Sequence, residues 1–269
     1  MSRLFYVIGN PIEHSLSPVI HAAFAQKTGL DIFYEKRLFD VKDFAGQLRR
    51  LLASEPVCGA NVTVPFKREA YQVCTTISER ARLAGAVNTL SFQKDGGVFG
   101  DNTDGIGFVN DLKRLYGGKL SEARVLLLGA GGAARGLLAV LPTCVRAVTV
   151  ANRTEAKAFD LAAAFGVCAS SLEDAKNGTW EIVVNATSAS LSGAVPAVDP
   201  GVFARSQLCY DLMYARTATP FMQAAQSAGC PNVYDGLGML VEQAAESFQL
   251  WNEIRPPVES VLAALRAPH

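Results

Sequence analysis

At 269 residues the chain is long enough for one large domain or two of ordinary size, and an apolar share of 49% is ample for buried cores. The 25 basic and 25 acidic side chains cancel, which argues against a nucleic-acid-binding surface. The six cysteines form no C-x-x-C pair and there are only three histidines, so we expect neither a disulfide framework nor a bound metal.

Targeting and membrane signals are missing from the sequence. No apolar run reaches the length of a membrane span, and the N-terminus lacks the charged and apolar regions of a signal peptide. We therefore expect a cytoplasmic protein with reduced thiols, no membrane partner and no nucleic-acid partner.

Strand-length apolar runs alternate with helical patterns through the first part of the chain, which predicts a mainly parallel α/β sheet. Ser17, followed by Pro18, is predicted to be a helix N-cap, and Pro65 should end the third strand. In chain order, we predict a strand at 4–9, a helix that starts at Ser17-Pro18 and ends near Gly29, strands at 32–38 and 58–64 with a helix at 43–52 between them, a helix at 78–84, a hairpin of 87–92 with 97–100, and a helix at 105–116.

The alternation restarts at Arg124 with a pattern typical of a Rossmann-type sheet. Two helices broken by Pro256-Pro257 should follow in 240–265. The strands of this second part are predicted at 124–128, 147–151, near 167, at 181–185 and at 207–212, with a helix at 154–165. The fold class is thus α/β with two domains, and the hinges are expected near 104–107 and 236–238.

A glycine-rich turn between a predicted strand and a predicted helix is the most informative motif. Gly129 allows a tight turn, Gly131 lets the backbone approach a pyrophosphate, and Ala134 is small enough for the helix to pack on the strand. A buried strand followed by a turn needs no cofactor, but this flanking context favours a dinucleotide site whose anion is held at the start of the helix.

The end of the next strand indicates which dinucleotide is bound. Asn152, Arg153 and Thr154 stand where an NAD site usually places an acid on the ribose diol, and Lys157 follows. A guanidinium can bind a 2′-phosphate through two hydrogen bonds, so these residues favour NADP over NAD. The alternative is that Arg153 is a solvated loop residue.

Polar residues also cluster at predicted strand ends in the first domain: Asn61, Thr63, Lys67, Asn88 and Asp104. Each has a simpler explanation. Ser17 and Asp104 could be N-caps, Lys67 could be solvated, and Asn88 could bind its own turn. Together they are consistent with a polar pocket. Because reduction of a carbonyl by hydride needs a proton donor and histidine is scarce, we assign that role to Lys67, with Asp104 positioning its ammonium.

The motifs closely resemble those of the shikimate dehydrogenase family, in order and spacing, from the first strand almost to the C-terminus. The matching segments are Glu13-His-Ser15-Leu-Ser17-Pro18, Asn61-Val-Thr63-Val-Pro-Phe-Lys67, Gly85-Ala-Val-Asn88-Thr89, Gly100-Asp-Asn-Thr-Asp104-Gly105, Gly129-Ala-Gly-Gly-Ala133, Asn152-Arg153-Thr154, Asn185-Ala-Thr187-Ser188, Asp211-Leu-Met-Tyr214 and Asp235-Gly236-Leu-Gly-Met-Leu-Val-Glu-Gln243-Ala244.

The resemblance implies NADP-dependent, reversible reduction of 3-dehydroshikimate to shikimate, in the pathway to aromatic amino acids. It implies a discontinuous substrate domain, 1–104 with 239–269, around an NADP-binding domain, 105–238. Substrate would be bound by Ser15, Ser17, Asn61, Thr63, Lys67, Asn88, Asp104, Tyr214 and Gln243, with Lys67 and Asp104 catalytic. Cofactor would be bound by Glu79, Gly129, Ala130, Gly131, Gly132, Ala133, Asn152, Arg153, Thr154, Lys157, Leu212 and Gly236.

Two positions depart from the family pattern. Leu16 stands where lysine is frequent, and Ser190 stands where glycine is common. Two other functions stay open: an NAD-preferring quinate/shikimate dehydrogenase, and a catalytically silent NADPH-binding sensor. Intact Lys67 and Asp104 argue against the sensor, and we expect a monomer or a homodimer.

Overall fold

The computed structural model describes residues 2–267. The chain divides into two compact units: residues up to Gly107 together with those from Val241 onward form the first, and Phe108–Leu240 forms the second. The predicted domain boundaries at 104 and 238 lie a few residues from these limits, and positions 268 and 269 lie outside the described residues. Among the helices of residues 2–267, none combines the length and the hydropathy that a membrane-spanning segment needs.

The first unit contains a six-stranded mixed sheet with the order β2-β1-β3-β5-β6-β4. β1 pairs in parallel with β2 and β3, and β5 runs antiparallel to both β3 and β6. The strands are β1 (Arg3–Gly9), β2 (Ile32–Leu38), β3 (Val57–Val62), β4 (Thr76–Ile77), β5 (Thr89–Phe92) and β6 (Val98–Asp101).

The second unit contains six parallel strands in the order β12-β11-β10-β7-β8-β9. Numbered within the unit, this order is that of a dinucleotide-binding Rossmann sheet, with its switch point between β7 and β10. The fold-class prediction is therefore confirmed. The strands are β7 (Arg124–Leu128), β8 (Ala147–Ala151), β9 (Cys168–Ser170), β10 (Ile182–Asn185), β11 (Leu208–Asp211) and β12 (Val233–Tyr234).

Eleven α-helices lie within the described residues, and two of them, α5 and α10, include residues of both units. The predicted pair of C-terminal helices is present as α10 and α11. The helices are α1 (Ser17–Thr28), α2 (Phe44–Ser54), α3 (Lys67–Val73), α4 (Glu79–Ala84), α5 (Asp104–Leu115), α6 (Gly132–Leu138), α7 (Glu155–Phe165), α8 (Pro200–Ala204), α9 (Pro220–Ser227), α10 (Leu237–Asn252) and α11 (Val258–Arg266).

The Rossmann sheet is buried on both faces. Along β7, Val125 and Leu127 belong to one apolar cluster while Leu126 and Leu128 belong to another, and all four side chains are fully buried. Successive side chains of a strand point to opposite faces, so a continuous apolar run is what a parallel strand covered on both sides requires. This burial fixes the strand that leads into the glycine turn.

The start of α1 differs from the prediction. Ser17 is the first helical residue and not the N-cap, which is Leu16, and no side chain caps this helix. The physical reason is that Ser15 Oγ accepts from Ser17 N at 3.3 Å, so the chain enters the helix one residue early. The hydroxyl of Ser17 therefore does not cap α1.

The segment after the third strand also differs. The sequence predicts a strand that reaches residue 64, but β3 ends at Val62 because Thr63 O accepts from Phe66 N at 3.0 Å and turns the chain. The short helix α3 and the strand β4 then occupy a stretch for which no element was predicted. Lys67 is thus the first residue of a helix and is not a loop residue.

A neutral histidine lies in the core of the first unit. His21 is 1% exposed and stacks on Tyr34 with ring centroids 4.0 Å apart. Its Nε2 has no hydrogen-bond partner within the described residues. Loss of hydration in this apolar site lowers the pKa of His21 from 6.5 to about 3, so the ring stays uncharged at neutral pH.

We predict that His21→Phe removes part of the acid sensitivity of folding. Between pH 6.5 and 3 the unfolded chain binds a proton at His21 that the folded chain excludes. As pH falls through this window, the free energy of unfolding should therefore decrease more steeply in the wild type, by up to about 1.4 kcal/mol per pH unit. Urea unfolding at several pH values measures this, with His14→Gln as the control. Parallel curves for wild type and His21→Phe would contradict it.

Candidate active site

The turn after β7 has the geometry that a dinucleotide pyrophosphate requires. Gly129 has φ of +113°, and a Cβ there would come within 3.0 Å of Ala186 backbone atoms, so only glycine fits. Added Cβ atoms at Gly131 and Gly132 would meet open space, and no side chain caps the helix that begins there. The exposed backbone from Gly131 to Ala133 therefore fits an anionic group, and Ala130 completes the turn.

A cavity of about 410 Å³ lies at the carboxyl end of β8. Asn152 and Arg153 line it, and Asn152 Nδ2 donates to Thr154 O at 2.9 Å. Lys157 is exposed on α7 nearby in sequence. The remaining lining residues are Glu155, Leu172, Glu173, Lys176, Ala197 and Asp199. The wall thus carries both cationic and anionic groups, with the guanidinium next to the strand end.

Leu212 and Gly236, the two residues expected beside the nicotinamide, are packed against each other. Gly236 N donates to Met213 O at 3.0 Å, and a Cβ on Gly236 would lie 2.1 Å from Leu212 O. Glycine is therefore required at this close approach. Tyr214 follows on the same segment, where burial raises the pKa of its phenol.

An ion pair joins the first residues of two helices in the first unit. Lys67 Nζ, at the start of α3, donates to Asp104 Oδ2, at the start of α5, at 2.5 Å. The two side chains are 30% and 14% exposed, so the pair is accessible but mostly enclosed. Asp104 is the first helical residue and is therefore not the N-cap, and its backbone N–H donates to Asn102 Oδ1 at 3.1 Å.

Asn88 connects this pair to α10. Its Nδ2 donates to Asp104 Oδ1 at 2.9 Å and to Gln243 Oε1 at 3.3 Å, and its Oδ1 accepts from Thr103 N at 2.8 Å. These partners are not the backbone of its own turn, so the simpler explanation of Asn88 is wrong. The structure therefore brings together Lys67, Asp104, Asn88 and Gln243.

Asn61 lies beneath this group in a second set of buried polar contacts. Its Nδ2 donates to Ser247 Oγ at 2.9 Å and to Asn88 O at 3.2 Å. Its Oδ1 accepts from Tyr34 OH at 2.7 Å. Both polar atoms of the Asn61 side chain thus have partners, as buried polar groups require.

Ser15 precedes α1, Ser17 is the first residue of that helix, and Thr63 follows β3 directly. Ser17 is buried, Ser15 and Thr63 are half-buried, and Ser15 Oγ accepts from Ser17 N. Hydroxyls and backbone N–H groups in such a turn can bind a carboxylate. Glu79 is different, because it is exposed in the first turn of α4 and forms an ion pair with Arg82.

Sequence reasoning missed several polar residues of this network. Ser247 on α10 and Tyr34 on β2 contact Asn61, and Thr103 contacts Asn88. Thr103 lies in the segment Gly100-Asp-Asn-Thr-Asp104-Gly105, so its position next to Asp104 could have indicated a place in the site. No sequence pattern points to Tyr34 or Ser247, since a tyrosine in a strand and a serine in a helix are ordinary core residues. No group of three or more metal-ligating side chains occurs in the described part of the chain.

Three family models match successive parts of the chain. Residues 7–90 match the shikimate dehydrogenase substrate-binding domain, residues 111–194 the shikimate/quinate 5-dehydrogenase model, and residues 236–266 the shikimate 5′-dehydrogenase C-terminal domain. A shikimate dehydrogenase (NADP(+)) from Dechloromonas aromatica is 50% identical over 99% of this chain and 98% of its own.

Solved structures agree with these matches. An Ael1 enzyme from Pseudomonas putida has a TM-score of 0.92 and 40% identity, over 99% of both chains. A shikimate 5-dehydrogenase from Thermus thermophilus, solved with NADP(H) and shikimate, has a TM-score of 0.87 and 35% identity, over 98% of both chains. Similarity of this extent and identity leaves one conclusion: the chain belongs to the shikimate dehydrogenase family.

Proposed function

We propose that the chain catalyses the NADP-dependent, reversible reduction of 3-dehydroshikimate to shikimate, a step toward aromatic amino acids. The ion pair of Lys67 with Asp104 carries this proposal, because it supplies a proton donor held in one position by a carboxylate. The NADP-dependent shikimate dehydrogenases that match almost the whole chain support it.

Lys67 is the proposed acid and base. In the direction of reduction its ammonium gives a proton to the oxygen that gains negative charge, and in the direction of oxidation the neutral amine takes the hydroxyl proton. Asp104 Oδ2 accepts from Lys67 Nζ, and its Oδ1 accepts from Asn88 Nδ2, an amide nitrogen that can only donate. The carboxylate therefore accepts on both sides and holds Nζ in place.

The remaining polar residues are proposed to orient the substrate. Asn88, Asp104 and Gln243 present donors and acceptors in one hydrogen-bonded group, which suits a ring that carries several hydroxyls. Ser15, Ser17 and Thr63, with Tyr214, are assigned to the carboxylate of the substrate. Asn61 is assigned to the substrate pocket through its contact with the backbone of Asn88.

NADP is the proposed cofactor, which in its reduced form would supply the hydride for the carbonyl. The open turn from Gly129 to Ala133 suits its pyrophosphate. Asn152, Arg153, Thr154 and Lys157 are assigned to the adenosine 2′-phosphate, and Leu212 with Gly236 to the nicotinamide side. Glu79 keeps its assignment as a cofactor-linked residue from the family resemblance.

An absorbance assay at the nicotinamide band separates this function from its alternatives. Oxidation of shikimate with NADP is the expected result. Faster turnover with NAD, or with quinate in place of shikimate, would favour the quinate/shikimate enzyme. Turnover with neither cofactor would leave the NADPH-binding sensor.

Assembly and location complete the proposal. All six cysteines are free, which suits a reducing compartment and supports a cytoplasmic location. We propose a monomer or a homodimer, and light scattering coupled to size exclusion measures which of the two is present.

The variant Lys67→Ala should lower kcat by roughly 10²–10⁴-fold, because the proton donor is lost while most substrate contacts remain. The KM for shikimate should change much less. Steady-state kinetics measures both values. The matched control is Arg68→Ala, which removes an exposed cation from the next position of α3 and should leave kcat unchanged. A near-normal kcat for Lys67→Ala would reject the proton-transfer role.

The variant Arg153→Ala should raise the KM for NADP about tenfold or more and leave the KM for NAD nearly unchanged, because only NADP carries the 2′-phosphate. Parallel titrations with the two cofactors measure the difference. Arg146→Ala, at the opposite end of β8, is the control for loss of an exposed arginine. Equal effects on NADP and NAD would show that Arg153 does not contact the phosphate.

A further inference from the structure

A buried carboxylate stands at the carboxyl end of β11. Asp211 is inaccessible to solvent, and four donors surround it. Oδ1 accepts from Asn185 Nδ2 at 3.0 Å and from Met213 N at 3.1 Å. Oδ2 accepts from Ser190 Oγ at 2.7 Å and from Thr219 Oγ1 at 2.6 Å. Hydrogen bonds of this number satisfy a carboxylate that water cannot reach.

These donors come from different segments of the second unit. Asn185 ends β10, Ser190 lies in the 3-10 turn that follows it, Met213 follows β11, and Thr219 caps α9 by accepting from Met222 N. One carboxylate therefore connects the loop after β10 to the segment after β11. A connection through side-chain hydrogen bonds is directional, so it fixes both the distance and the orientation of the two segments.

The loop is held from a second side by Asn185. Its Oδ1 accepts from Thr187 N at 3.1 Å and from Thr187 Oγ1 at 2.7 Å, and Thr187 Oγ1 accepts in turn from Ala189 N at 3.2 Å. At the end of the loop 186–190, Ser190 attaches the chain to Asp211 through its hydroxyl. The contact depends on the serine hydroxyl, because a residue without a side-chain donor at this position could not bind Asp211 Oδ2.

Both connected segments contact residues assigned to the cofactor. The loop backs onto the nucleotide turn, since a Cβ on Gly129 would lie 3.0 Å from atoms of Ala186 and Thr187. On the other side, Leu212 N donates to Asn185 O at 3.0 Å, and Gly236 packs on Leu212. The loop 186–190 thus adjoins the proposed pyrophosphate turn, and Asn185, the residue from which the loop leaves β10, is bonded to the proposed nicotinamide segment.

We propose that Asp211 and Ser190 are positioning residues for NADP: together they hold the loop 186–190 and the segment 212–214 in the arrangement that the cofactor requires. Neither residue has to touch the cofactor, because each acts through backbone that it fixes. The inference rests on the proposed function for the identity of the cofactor, while the contacts among Asp211, Ser190 and Asn185 stand without it.

Two measurements on the cofactor-free protein and on NADP binding test the proposal without relying on turnover. Hydrogen exchange of peptides that cover 186–190 reports the mobility of the loop, and calorimetry gives the Kd for NADP. Ser190→Ala should speed exchange in these peptides and raise the Kd about three- to tenfold, as loss of one hydrogen bond predicts. Ser190→Thr, which keeps a hydroxyl, should restore both values.

Steady-state kinetics and a matched control separate positioning from general destabilisation. Ser190→Ala should raise the KM for NADP while the KM for shikimate and the thermal midpoint stay close to wild type. Ser206→Ala is the control: Ser206 Oγ also donates at 2.7 Å, to Val202 O, but it stands before the amino end of β11. This variant should leave the Kd for NADP unchanged.

Asp211→Asn should weaken NADP binding more than Ser190→Ala does. The NH2 group of the asparagine is a donor, and it would face donors whose hydrogen bonds the carboxylate accepts in the wild type. If Asp211→Asn does not fold, the Ser190 variants still decide the question. Unchanged loop exchange and unchanged Kd in Ser190→Ala, or equal changes in Ser206→Ala, would overturn the proposal. Failure of the proposed function would be distinct, as the wild type would then bind NADP without oxidising shikimate.

Discussion

The candidate site depends on the buried amide of Asn88, which is 2% exposed and must satisfy its polar atoms inside the protein. It does so by donating to Asp104 and Gln243 and by accepting from Thr103. Because one oxygen of Asp104 is used in this way, the other oxygen is left for Lys67. A single amide thus fixes the carboxylate, and the carboxylate fixes the amine to which we assign the proton transfer.

The nucleotide-binding unit depends on a different constraint, the close approach of backbone to backbone. Gly129 and Gly236 stand where a Cβ would collide with neighbouring main-chain atoms, at 3.0 Å and 2.1 Å. Side-chain hydrogen bonds to the buried Asp211 then connect the loop that follows β10 to the segment that follows β11. Rigid strands supply the frame, and the polar contacts at their carboxyl ends set the loop positions.

Much of the fold followed from patterns along the chain. An apolar run of strand length predicted β8 with its observed limits, since a buried parallel strand needs apolar residues on both faces. The limits of the edge strand β2, which is largely exposed, were also predicted. The prediction failed just after β3, where the helix that begins at Lys67 has only seven residues and too little periodicity to be recognised. It also failed at the start of α1, where the sequence predicts Ser17 as the N-cap. Ser17 is instead the first helical residue, and its backbone N–H donates to the hydroxyl of Ser15.

The sequence by itself determined the α/β class, the nucleotide turn and the set of residues assigned to the site. Each of these depends on patterns among residues that are close together along the chain, namely the alternation of strands and helices, the glycine spacing and the local motifs. Only the tertiary structure decided which polar groups meet. Asn88 with Gln243, Asn61 with Ser247, and Asn185 with Asp211 are pairs from separate elements. Hydrogen bonds between distant residues depend on how strands and helices pack, and no local pattern records that packing.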